Sequence, residues 1–137
     1  MNEGRELKGV TTYTVDCKGK LSIRFFSPVI GEKFVLLHSR EGDCIDVYQE
    51  KDFNALAEKL LDRVRQKNSK ENRDLIRCLS IKYIDTKEVD KQKRIIIPKF
   101  ALQKYGLSGK VVIEGKNKKL SIYSKEAYSN HIKKLLK

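Results

Sequence analysis

The feature that most restricts this chain's fold is that it repeats itself. Val15-Asp16-Cys17-Lys18-Gly19-Lys20-Leu21-Ser22-Ile23 aligns with Val89-Asp90-Lys91-Gln92-Lys93-Arg94-Ile95-Ile96-Ile97 at an offset of 74 residues, and Ile45 to Phe53 aligns with Leu120 to Tyr128 at an offset of 75. Two blocks in the same order at nearly one spacing mark a tandem duplication, so the fold has to be assembled from two similar halves. The 137 residues then divide into repeat 9–65, a connecting segment 66–80, and repeat 81–137. That length suits one ordinary domain or two very small ones.

Each repeat is predicted to contain two strand pairs followed by a helix. In the first, residues 10–15 are β-branched and partly alternating, Asp16 to Lys20 form a polar turn, and residues 21–23 resume a strand. Residues 34–37 and 45–48 make a second pair, turning through Glu41-Gly42-Asp43. The second repeat follows suit with 84–89, 94–97, 110–113 and 120–123. It inserts a short helix from Pro98 to Gly106, with Pro suited to the first helical position and Gly to the position past the last turn. The matching stretch, Arg24 to Gly31, is shorter, has Pro28 inside it, and is expected to be one turn or irregular. Phe53, Leu56, Ala57, Leu60, Leu61 and Val64 make one helical stripe. Ser69 is placed to cap a helix through Leu75, Ile76 and Leu79, and Ser124 one through Tyr128, Ile132 and Leu135. The stripes read as core or subunit contacts. Strands predominate, giving an α+β class that is mainly β.

Charge is distributed unevenly. Residues 1–70 carry 13 Lys+Arg against 11 Asp+Glu, while residues 71–137 carry 17 against 7, within a total formal charge of +12. A basic half favours an anionic partner, with nucleic acid first because neutralised phosphates release counterions. No apolar run reaches the ~20 residues that span a bilayer, and the charged start from Met1 to Glu6 lacks a signal-peptide pattern. Neither a membrane nor a cofactor is expected. His38 and His131 lie in different repeats, away from metal-ligand spacing, and are expected at the surface or rim. Catalytic motifs for nucleophilic, metal or phosphate chemistry are absent from the sequence, and an enzyme is not expected. Cys17, Cys44 and Cys78 form no CxxC and read as reduced thiols in a reducing cytosol. Asp43 and Asp46 sit beside turns, where Asp ordinarily serves the backbone.

The two Asp-x-x-x-basic turns are the candidate site. Asp16 and Asp90 are predicted to bond the turn amides and fix its shape, leaving the cations to project together. Those cations are Lys18, Lys20 and Arg24 in the first repeat, and Lys91, Lys93 and Arg94 in the second. Arg94 offers a planar fork to guanine or phosphate, whereas Lys20 is a point charge.

Both turns, with the Val47-Tyr48 and Ile122-Tyr123 strand ends and Gly106-Leu107, resemble the paired Asp-x-Lys-Gly-Arg-(apolar)-x-(apolar)-Pro signatures of the MraZ family, from Gly9 to Tyr128. That family consists of bacterial transcription regulators with two AbrB-like (SpoVT-AbrB) repeats. The resemblance implies swapped hairpins forming a pseudo-dimeric barrel within one chain, with flanking helices. It further implies ring-shaped homo-oligomers that bind double-stranded DNA at repeated promoter boxes upstream of a division and cell-wall gene cluster. Such a protein is expected in the cytoplasm, on the nucleoid, and is expected to repress. The family's DNA-contacting arginine maps onto Lys20 and Arg94, and its loop lysine onto Lys18. Gly19 keeps the family's turn glycine, whereas Gln92 and Lys93 replace its Lys-Gly. The rivals are an antitoxin-type AbrB-like regulator, though no toxin-wrapping tail is expected beyond Lys137, and an oligomeric interaction module that has lost DNA binding.

Overall fold

A computed structural model describes residues 9–24, 27–116 and 118–136. Phe25 and Phe26, within the stretch expected to be irregular, and the chain start lie outside the described residues. The strands are β1 (Val10–Val15), β2 (Lys20–Ser22), β3 (Lys33–His38), β4 (Ile45–Gln49), β5 (Tyr83–Glu88), β6 (Arg94–Ile96), β7 (Gly109–Lys116) and β8 (Lys119–Ser124). The helices are α1 (Glu50–Gln66), α2 (Lys70–Lys82), α3 (Lys99–Tyr105) and α4 (Lys125–Leu135).

The duplication sets the topology. An antiparallel sheet of six strands runs β1-β7-β8-β4-β3-β5, and β2 pairs with β6 in a separate ribbon. The first strand of each repeat pairs with the third strand of the other, β1 with β7 and β5 with β3, so the hairpins are exchanged within one chain. Swapping the repeats reverses the strand order without changing it, which puts a pseudo-twofold axis between β4 and β8. Asp46 and Ser121, which are equivalent in the repeats, face each other there.

An α+β class is present, with two corrections. Among the described residues helix, at 39%, slightly exceeds strand, at 34%. The barrel implied by the resemblance is not closed among the described residues, because β1 and β5 each pair on one side only. The ribbon covers the sheet instead. Leu21, Ile23, Ile95 and Ile97 pack with Phe34, Leu36, Ile45, Val47, Val111, Ile113, Leu120 and Ile122 in one buried cluster. This cluster forms because strand alternation sends every second side chain inward.

Helix α3 closes one end of that core with Ala101 and Tyr105, and Gly106 ends it in the left-handed conformation at φ 62°. Pro98 sits one position earlier than expected, as the N-cap. Ser69 and Ser124 cap α2 and α4 by accepting the amides of Asn72 at 3.1 Å and Ala127 at 3.0 Å. The stripe on α1 is not fully buried. Its Phe53, Ala57 and Leu61 line an open apolar groove with α2 and Tyr83, and Leu61 and, on α2, Leu75 stay exposed. Asp46 departs from its expected backbone role: its carboxylate accepts Ser121 Oγ at 2.7 Å and Lys119 Nζ at 3.1 Å.

Candidate nucleic-acid interface

The two Asp turns share one geometry. Asp16 Oδ1 accepts the amides of Lys18 and Lys20, both at 2.9 Å. Asp90 Oδ1 accepts those of Gln92 at 2.8 Å and Arg94 at 2.9 Å. The main chain repeats the match: Gly19 N donates to Asp16 O at 3.0 Å and Lys93 N to Asp90 O at 3.1 Å. Each turn also holds the strand of the other repeat, with Ile97 N on Gly19 O at 2.8 Å and Ile23 N on Lys93 O at 2.9 Å. A carboxylate that accepts amide protons is stabilised in its charged form. Accordingly Asp16 titrates below its ordinary value, chiefly through the Lys20 amide. Desolvation pushes Asp90 up, but the amides of Arg94 and Gln92 and the Arg94 guanidinium outweigh it and the net direction is down.

Position three of each turn requires a left-handed backbone, and the two repeats meet this demand differently. Gly19 has φ +85°, and a Cβ there would lie 2.5 Å from Ile97 O and 3.2 Å from Leu102 Cδ1. Only glycine fits against α3. Lys93 holds φ 62° despite its side chain. Its repeat-one neighbour is the segment around Pro28, where residues 27–29 form neither helix nor strand, and its Nζ donates to Pro28 O at 2.8 Å. Lys93, expected among the outward cations, is thus turned toward the protein.

Pairing of β2 with β6 brings the remaining cations together. Lys20 lies opposite Ile96, Leu21 opposite Ile95, and Ser22 opposite Arg94. Paired residues share a face, so Leu21 and Ile95 point into the core while Lys20, Ser22, Arg94 and Ile96 form the outer face. Lys18 and Lys91 stand at the exposed turn tips, and Arg24 is exposed just beyond β2. Arg94 is pre-oriented: its Nε donates to Asp90 Oδ2 at 3.1 Å. No hydrogen bond among the described residues engages its two terminal nitrogens, so the fork is available for bidentate contact. Lys20 has no equivalent of Nε, and its carboxylate partner holds only its amide.

Sequence reading missed Ser22 and Ile96 as members of this face. Their signal was parity, since each lies two residues after a candidate cation on a strand. No three described His, Cys, Asp or Glu side chains cluster so as to hold a metal. No described helix is long and apolar enough to cross a membrane.

Known proteins share this chain's sequence along most of its length. A family model described as "MraZ protein, putative antitoxin-like" matches residues 85–137. The "Transcriptional regulator MraZ" of Lachnoclostridium phytofermentans is 32% identical over 124 residues, covering 90% of this chain and 84% of that protein. The chain belongs to the MraZ family. Its MraZ relative from Caldanaerobacter subterraneus subsp. tengcongensis is 30% identical over 128 residues, covering 93% and 87% of the two chains. That from Limosilactobacillus reuteri is 32% identical over 124 residues, covering 90% and 84%. These matches span both repeats, so both turns belong to the stretch shared with the MraZ regulators.

Proposed function

We propose that this protein is a sequence-specific, double-stranded-DNA-binding transcription regulator that acts through the outer face of the β2–β6 ribbon. The observation that carries the reading is the Asp90-held Arg94 fork lying diagonally across from Lys20. Repeats 9–65 and 81–137, joined by 66–80, each supply one turn to it. Lys18, Lys91 and Arg24 neutralise phosphates and set the register; Arg94 and Lys20 address base edges. Asp16, Gly19 and Asp90 hold the turns in shape, and Lys93 fastens the second turn to the Pro28 segment.

One such face neutralises few phosphates, so tight binding calls for several copies. The groove lined by Phe53, Ala57, Leu61, Ile76, Leu79 and Tyr83 supports self-association. A ring of subunits would meet tandem promoter boxes with many linked faces, which raises avidity without new contacts. Occupying a promoter in this way blocks polymerase, so the protein is read as a repressor, cytoplasmic and nucleoid-associated, of a division and cell-wall gene cluster.

The test is binding of the purified protein to a duplex from upstream of its own gene, against a scrambled duplex, across a salt series. Preference for the upstream duplex with a steep salt slope is expected. Arg94→Ala should then cost roughly 1–3 kcal/mol on that duplex. Equal loss on both duplexes would reduce Arg94 to a phosphate contact, and absence of binding to either would overturn the reading.

A further inference from the structure

We propose that Ile96 is a specificity-determining residue that packs on the 5-methyl group of a thymine next to the base addressed by Arg94, giving the site a direction along the duplex. The inference rests on the DNA-binding reading above. Of the aliphatic residues in and just after the ribbon strands, Leu21, Ile23 and Ile95 are 0% exposed and Ile97 1%, whereas Ile96 is 46% exposed. A single exposed aliphatic residue is ordinarily unremarkable. This one is a member of the outer face, directly opposite Lys20 and two residues from Arg94.

The pseudo-symmetry makes the choice of residue informative. Lys20 is equivalent to Arg94, and Ser22 to Ile96, so a symmetric ribbon would present two identical cation–neighbour pairs. Instead one end pairs Lys20 with Ile96 and the other pairs Arg94 with Ser22. Two like ends would read an inverted repeat. Two unlike ends read an asymmetric step, with the Arg94 fork on guanine O6 and N7 and an apolar surface beside it. Among the four bases only thymine presents a methyl group in the major groove, and it is the partner an exposed isoleucine can desolvate without stranding a polar atom.

The test uses the full-length protein and duplexes enriched by it from a random-sequence pool, resynthesised with deoxyuridine replacing each thymidine in turn. This removes one methyl group and keeps base pairing. The wild-type protein should lose about fourfold in affinity at one position, the transfer value of a single methyl. Ile96→Ser should bind the thymidine and deoxyuridine duplexes alike, and Ile96→Val should keep part of the difference. A wild-type protein indifferent to every replacement would overturn the inference, and this series needs no variant to fold. Ile96→Ser that keeps the full difference, with an unchanged melting temperature, would overturn it as well. Failure to enrich or bind any duplex would instead remove the DNA-binding reading beneath it, a result distinguishable from both.

Discussion

Replacing Gly19 by Ala tests the turn geometry most directly. Two costs add at this position. The backbone is held at φ +85°, and a side chain there costs about 1–2 kcal/mol in the left-handed region. The new Cβ would also stand 2.5 Å from Ile97 O, a backbone atom whose own amide is hydrogen-bonded to Gly19 O at 2.8 Å. The turn therefore cannot move away from the clash without loosening the bond that ties the repeats together. Overpacking of this kind costs about 1–3 kcal/mol. The total is about 2–5 kcal/mol, which for a domain of this size lowers the melting temperature by roughly 6–20 °C. Calorimetry together with urea unfolding measures it, and the midpoint should fall with little change in the denaturant slope.

The equivalent position provides the control. Lys93→Gly relieves a positive-φ side chain and also removes the 2.8 Å bond from Nζ to Pro28 O. Relief of about 1 kcal/mol is offset by that bond and by about 0.4–1 kcal/mol of added freedom in the unfolded chain, so stability should change by less than about 1 kcal/mol. A Gly19→Ala protein melting within about 2 °C of its parent, or a Lys93→Gly protein losing as much as Gly19→Ala, would refute the unequal packing of the two turns.

Two further outcomes follow from the same contacts. Asp90→Asn leaves an oxygen for the turn amides but removes the charged partner of Arg94 Nε; titrations on specific and scrambled duplexes should show specific affinity falling up to about tenfold while non-specific affinity holds or rises. His38 bonds the Tyr105 hydroxyl, and burial, helped by the Lys104 charge, keeps its pKa below 6.5. The unfolded chain therefore binds the proton first, so the His38 contribution to stability is full above about pH 6.5 and declines as pH falls through the folded-state value. The slope is below about 1.4 kcal/mol per pH unit, the limit for one proton, because the ring is only partly shielded. Melting temperatures of wild type and His38→Gln from pH 7.5 to 5.5 should converge on acidification, and parallel curves would refute the assignment.

Much of the local structure was legible because it depends on nearby residues. The turns at Asp16 and Asp90, the caps at Ser69 and Ser124, and the stop at Gly106 each need only a short polar side chain or a missing Cβ at a fixed offset. Partner choice was not legible in this way. Alternation in β1 and β5 specifies which face is buried and leaves open which strand lies alongside, so the exchange of β1 onto β7 and β5 onto β3 was implied by the family resemblance and not by the strands' own residues. The run Ile95-Ile96-Ile97 hides its outward residue in composition, since three identical residues are told apart only by their parity relative to Arg94. Lys93 read as an outward cation because its reach to Pro28 O spans 65 residues of sequence. Asp46 read as a turn residue because Ser121 and Lys119 approach it from the other repeat.

Asp46 also shows what joining the repeats in one chain permits. A homodimer of the first repeat would set two Asp46 residues face to face at the axis, and like charges directly opposed on neighbouring strands are destabilising. The duplicated chain places Ser121 there, which donates its hydroxyl to Asp46 at 2.7 Å, and adds Lys119 at 3.1 Å to balance the remaining oxygen. The outer ribbon follows the same logic. Lys20 faces a different neighbour from Arg94, and Gly19 a different packing from Lys93, because each repeat needs only to complement the other and never a copy of itself. Covalent duplication thus retains the twofold framework that builds the sheet while freeing its axis and its candidate reading face from twofold identity. A face freed in this way can address an asymmetric DNA sequence, which two identical half-units related by the axis would not do.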